Sequence, residues 1–205
     1  MLHGIDVSKW NGKDSEKHIM EADFVVIRAG YGKNHIDPMC EQNIAWCVKY
    51  GKPYGLYWFS YALNEKDARN EANVLCNYIK SHINIQYTKP TLPIFIDFEA
   101  DSEKYIAKHG ITYNKILYNN IVTGFCDEAE KQGMYAGIYC DRSHYKQLMT
   151  KKYCVWLAHW DNKQELPTDR CVWMKQYTVD RNKNLDLNIL RNSKLITTIE
   201  ARFNA

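Results

Sequence analysis

The chain lacks most of the short signals that assign chemistry at a glance. Its histidines, His3, His18, His35, His82, His109, His144 and His159, are scattered, with no HxH pair and no HExxH. That leaves no expected metal site and no expected cofactor. The seven cysteines are odd in number, contain no CxxC and have spacings that fit neither zinc nor a disulfide framework. They read as small buried thiols in a reducing compartment. Excess charge is missing too: a net charge of +3 is too small to argue for nucleic acid, although it would not hinder approach to an anionic surface. No apolar run is long enough to cross a bilayer, so no membrane insertion is expected. The start, Met-Leu-His-Gly-Ile-Asp, has no charged segment followed by an apolar one, so no signal peptide is read. A protein of this kind acting outside the cell would be made in the cytoplasm and released by another route. With no internal repeat, linker or low-complexity stretch, a single domain over residues 1–205 is expected.

What remains is an ordinary globular composition, 45% hydrophobic and 25% charged, with Trp 6 and Tyr 15 exceeding what a core needs. Short apolar runs read as strands at Leu2 to Val7, Phe24 to Ala29, Tyr54 to Tyr61, Pro93 to Glu99, Tyr135 to Tyr139, Val155 to Trp160, Val172 to Tyr177 and Leu185 to Leu190. Helical spacing follows Asp37-Pro38, with Asp37 as the expected cap, and again follows Asn64 and Thr112; a short helix is expected over Ser143 to Met149. Strand alternating with helix implies parallel βαβ units and an α/β fold. The intervals between the last three strands are too short for a helix plus two loops. The expected architecture is therefore a TIM-like barrel with five β/α units and three final strands joined by loops.

The chemistry concentrates in Pro93-Ile-Phe-Ile-Asp-Phe-Glu-Ala-Asp101. Alternation along a strand puts Asp97 and Glu99 on one face, at the end of a segment whose beginning is apolar. Two adjacent carboxylates repel, and a strand has no structural need of them. Asp6 ends the first strand and Asp186 lies in the last; each alone reads more readily as a solvated surface acid. If the barrel closes, all four meet at the carboxyl ends of the strands, where such barrels carry their active sites. Crowding divides carboxyls into one that keeps its proton and one that does not, as glycoside hydrolysis requires. A Cys140/His144 nucleophile pair is the weaker reading. Arg28, Tyr57, Phe59, Tyr61, Tyr139, Trp160, Gln176 and Tyr177 are the candidate substrate contacts, the aromatics as platforms for sugar rings.

Gly4-Ile-Asp-Val-Ser8, Ile94-Phe-Ile-Asp-Phe-Glu99, Trp156-Leu-Ala158, Gln176-Tyr177 and Leu185-Asp-Leu-Asn188 together resemble glycoside hydrolase family 25, the Chalaropsis-type lysozymes of bacterial autolysins and phage endolysins. The resemblance implies a five-plus-three barrel and N-acetylmuramidase activity on the glycan strands of bacterial peptidoglycan, in a monomeric catalytic domain. It assigns Glu99 as general acid/base, Asp97 as its neighbouring carboxylate, and Asp6 and Asp186 as the other acids of the mouth. The chain departs from the pattern at Trp58, where histidine is frequent, and at Trp160, where tyrosine is common. A chitinase-like family 18 barrel would want a further acid where Phe95 stands, and a catalytically silent wall-binding barrel would not keep the Asp97/Glu99 pair.

Overall fold

The structure is a computed structural model describing residues 1–83 and 89–191. Eight strands close into a barrel: β1 (Leu2–Val7), β2 (Phe24–Tyr31), β4 (Tyr54–Phe59), β5 (Ile94–Asp97), β6 (Ala136–Asp141), β7 (Cys154–Ala158), β8 (Val172–Asp180) and β9 (Leu185–Leu190). A two-residue strand, β3 (His35–Ile36), lies antiparallel on β2 outside the closed ring. β1, β2 and β4 through β8 pair in parallel around the barrel, and β9 runs antiparallel between β8 and β1. Outside the strands lie α1 (Ser15–Glu21), α2 (Cys40–Lys49), α3 (Glu65–Tyr78), α4 (Ala100–Lys108), α5 (Lys115–Lys131) and the single turn α6 (Arg142–Tyr145). Residues 159–171 cross from β7 to the parallel β8 without a described helix, and β8–β9 is a hairpin. The five-plus-three arrangement read from the intervals is the one found.

Period-two alternation explains the wall. In β2, Val25, Ile27 and Ala29 pack outward under the helices, while Phe24 and Val26 pack inward; in β5, Ile94 and Ile96 go out and Phe95 goes in. The inner set, Phe24, Val26, Tyr57, Leu92, Phe95, Tyr139, Cys154, Trp156, Met174 and Leu190, plugs the barrel, so it is a packed core closed at one end. Gly137 makes room for that plug: a Cβ there would lie 2.6 Å from both Cys154 Sγ and the Phe95 ring.

Several boundaries differ from expectation for local reasons. Asn64 caps α3, its Oδ1 accepting from Asp67 N at 3.0 Å, but α5 is capped by Asn114, two residues after Thr112. Asp37 does not cap α2. Its carboxylate accepts from Met39 N at 2.9 Å and from Arg28 Nε at 2.6 Å, and the helix starts at Cys40. The turn Lys9–Asp14 with α1, and the whole of α4, are not foreseen from the sequence pattern. Each helix carries one buried aliphatic side chain, Ile19 or Ile106, too few to show a period. No described helix is long and apolar enough to cross a membrane.

Candidate active site

The inward series of each strand changes character as it reaches the open end. Above the apolar plug stand Asp6 from β1 and Ser8 just after it, Arg28 from β2, Phe59 from β4, Asp97 from the end of β5 and Glu99 just beyond it, Tyr139 from β6 and Gln176 from β8. β9 runs the other way, so its first residues, Asp186 among them, reach the same rim; Asp186 pairs directly with Asp6. These side chains, with Trp10, Asn11, Tyr57, Trp156, Trp160 and Asn184, line a cleft of about 300 Å³. Acids from the first, middle and last strands thus converge.

β5 ends at Asp97, and Glu99 is the N-cap residue of α4. Its backbone is still extended (φ −133°, ψ −177°), which keeps Glu99 on the face of Asp97 although the ladder has stopped. Glu99 N donates to Ser102 Oγ at 3.3 Å, and Ser102 Oγ donates to Ser60 O at 2.8 Å, fixing the strand-to-helix turn.

Polar groups are ordered around Asp6. Its Oδ2 accepts from Asn188 Nδ2 at 2.7 Å and from Gln176 Nε2 at 3.0 Å. Gln176 Oε1 accepts from Tyr139 Oη at 2.9 Å and from Trp160 Nε1 at 2.8 Å. With donors at one end and a carboxylate at the other, the Gln176 amide has one orientation that satisfies all its neighbours. Asn188 is held in turn by Trp156 Nε1, which donates to its Oδ1 at 2.8 Å.

Every acid of the cluster holds its proton more tightly than usual. Burial pushes Asp6 up to about 7, helped by the Asp186 charge and opposed by its two amide donors. Burial and the charges of Glu99 and Asp6 hold Asp97 well above the carboxylate range, against a small opposing effect of Arg28. Glu99 is raised chiefly by burial, then by Asp101, Asp141 and Asp186, with the Tyr139 hydroxyl pulling it back; burial raises Asp186 as well. Asp97 Oδ1 is buried and has no hydrogen-bond partner among the described residues. Four acids crowded into one mouth share fewer than four charges at neutral pH, and that supplies a proton donor beside ionised neighbours.

The candidate contacts divide by parity and reach. Arg28, Tyr57, Phe59, Tyr139, Trp160 and Gln176 line the cleft. Tyr177 does not. Adjacent residues of a strand face opposite ways, so with Gln176 inward Tyr177 lies on the outer wall near His3, Ile5 and His18, its hydroxyl accepting from Gln164 Nε2 at 3.3 Å. Tyr61 lies one cavity over, beyond Phe59. Trp58 faces outward and donates through Nε1 to Gly32 O at 2.9 Å, so its departure from the family's usual histidine does not shape the cleft. Cys140 and His144 form no nucleophile pair. Cys140 is buried, with its thiol pushed up by burial, and His144 Nδ1 is held by Asp141 Oδ1 at 3.0 Å. Sequence reading misses Trp10, a rim indole 71% exposed, because nothing periodic surrounds it.

A β/α barrel that gathers four carboxylates at its mouth beside exposed indoles has the make-up of a glycoside hydrolase. The chain belongs to glycosyl hydrolases family 25, whose family model matches residues 5–185. Among solved structures it is similar to the modular autolysin LytC from Streptococcus pneumoniae, at 26% identity and a TM-score of 0.74, over 93% of this chain and 46% of that one. It is similar to the catalytic domain of endolysin ply40 from bacteriophage P40 of Listeria monocytogenes, at 26% identity and a TM-score of 0.73, over 98% of this chain and 97% of that one. In fold it is also similar to a muramidase from Trichobolus zukalii, at 17% identity and a TM-score of 0.75, over 98% of this chain and 100% of that one. The chain spans about half the length of the autolysin. No curated protein matches it.

Proposed function

We propose that this barrel is an N-acetylmuramidase, cutting the β-1,4 bond from N-acetylmuramic acid to N-acetylglucosamine in the glycan strands of the bacterial cell wall. The observation that carries the reading is the convergence of Asp6, Asp97, Glu99 and Asp186 on one cleft. Family membership supports it, as does the likeness to LytC, which has also been solved with a synthetic peptidoglycan ligand.

Glu99 is the general acid. It is the more accessible of the Asp97/Glu99 pair, half-buried where Asp97 is 5% exposed, and burial with three neighbouring acids raises its affinity for its proton. It protonates the linking oxygen as the bond breaks and then, as a carboxylate, takes a proton from the incoming water. Asp186 provides negative charge against the positive charge that develops on the sugar, while Asp97 and Asp6, the latter fixed by Gln176 and Asn188, set the proton balance of the group. Trp160, 62% exposed, offers a flat apolar face to a sugar ring while its indole N–H stays on Gln176.

Glu99→Gln keeps the shape and removes the transferable proton. Clearing of a peptidoglycan suspension should slow by roughly 10³-fold, with an unchanged circular dichroism spectrum. Near-normal clearing by this variant would contradict the assignment, and so would wall binding without clearing by the wild type.

A further inference from the structure

Past Phe59, the cleft opens into a second cavity of about 360 Å³, lined by Lys9, Trp10, Arg28, Tyr31, Phe59, Tyr61 and Asp101. Trp10, Arg28 and Phe59 belong to both cavities, so a chain lying in the first reaches the second without leaving the surface. The two differ in charge. The catalytic cleft is acidic, whereas this annex, with Asp101 as the acid in its lining, presents in Lys9 an ammonium that no carboxylate pairs among the described residues. Lys9 Nζ sits over the Trp10 ring at 4.6 Å and near Tyr31 at 5.9 Å, and no carboxylate lies within 4.0 Å of it among the described residues.

The acids nearby are already matched. Asp37 accepts Arg28 Nε at 2.6 Å, together with the backbone N–H groups of Met39 and Lys9. Asp101, on the rim, is paired with Lys104 Nζ at 2.8 Å. Arg28 has only its Nε engaged with an acid, and its Nη2 has no partner among the described residues. The surplus at this spot is one ammonium and part of one guanidinium, set between aromatic rings that exclude water from one side and strengthen a charged contact.

We propose that the annex binds a carboxylate-bearing substituent of the glycan, held by Lys9 with help from Arg28 and flanked by Trp10, Tyr31 and Tyr61. The inference rests on the muramidase reading, since only a glycan with acidic side branches carries such a group within reach of the cleft. It gives Tyr61 a role as a wall of the branch site in place of a platform under the scissile sugars.

The test compares two walls, both stripped of anionic polymers so that peptide carboxylates are the remaining acids: one native, one with its carboxyls converted to amides. The wild type should cleave the native wall with a several-fold higher kcat/KM. Lys9→Met should lower kcat/KM on the native wall about three- to tenfold, as loss of a partly exposed charged contact does, and leave the amidated wall unchanged. Lys17→Met removes the same charge from an exposed position outside both cavities and should behave as wild type. Equal loss on both walls, or equal loss from the Lys17 variant, would overturn the proposal. Failure of the wild type to cut either wall would overturn the muramidase reading and, with it, the annex.

Discussion

At the scale of single residues, the cleft works through proton affinity. The Asp186 charge is the second cause, after burial, of the rise in Asp6, and it also raises Glu99. Asp186→Asn removes that charge, so both groups should lose their protons at lower pH. The alkaline limb of the pH–rate profile should move towards acid, together with a fall in the maximum rate. The profile is measured on wall suspensions at constant ionic strength, and a limb that stays in place would exclude Asp186 from the electrostatics of the cluster. Gln176 shows how little freedom the surroundings have. Its two amide ends are committed to Tyr139 and Trp160 on one side and to Asp6 on the other, so the rim indole and a buried acid are coupled through one side chain.

At the scale of elements, each strand buries its lower inward positions and spends the upper ones on chemistry. The lower part tolerates little. Gly137→Ala in β6 places a methyl group 2.6 Å from Cys154 Sγ and Phe95 in the packed plug, which should cost about 1–3 kcal/mol, read as a lower urea midpoint with unchanged slope. A variant as stable as wild type would mean that the plug yields more than its packing suggests. The same elements explain what is legible in the sequence. The run Ile94-Phe-Ile-Asp-Phe-Glu99 announces itself because carboxylates interrupt an apolar strand, and alternation then gives their common face. Tyr177 misleads, because its place at a strand end points to the cleft until its parity relative to Gln176 is counted. α4 is invisible because, of its residues, only Ser102 and Ile106 are buried. Trp10 and Asn184 reach the mouth from loops, whose course no periodicity foretells. The annex is a meeting of β2, the turn after β1, the loop after β4 and the start of α4, and only the closed barrel brings these together.

At the scale of the whole molecule, the acid cluster weighs against stability. Asp6, raised to about 7, and the buried Glu71 of α3, raised to about 8, bind protons in the folded state that the unfolded chain releases near pH 4. Asp97, Glu99 and Asp186 are raised in the same direction. Because the folded state binds more protons, their contribution is full below the unfolded values and is lost as pH rises through the folded ones. Thermal stability should therefore decline from about pH 5 to pH 8. Asp6→Asn should flatten that decline and be the more stable protein at pH 8, at the expense of activity. A wild-type stability that rises over this interval would show that the carboxyls ionise freely in the fold. Glu71 serves the fold rather than the chemistry. It accepts from Ser60 Oγ at 2.7 Å and Tyr61 N at 3.0 Å, anchoring the loop after β4 beside the catalytic turn.

The most direct test of the acid cluster's role is a crystal structure of Glu99→Gln with a bound glycan fragment long enough to span the cleft. The linking oxygen of one sugar pair should lie within about 3 Å of the side chain at position 99, with Asp97 and Asp186 facing the sugar whose bond would break. A fragment bound along the outer helices, or one crossing the mouth with its linkages out of reach of position 99, would contradict it.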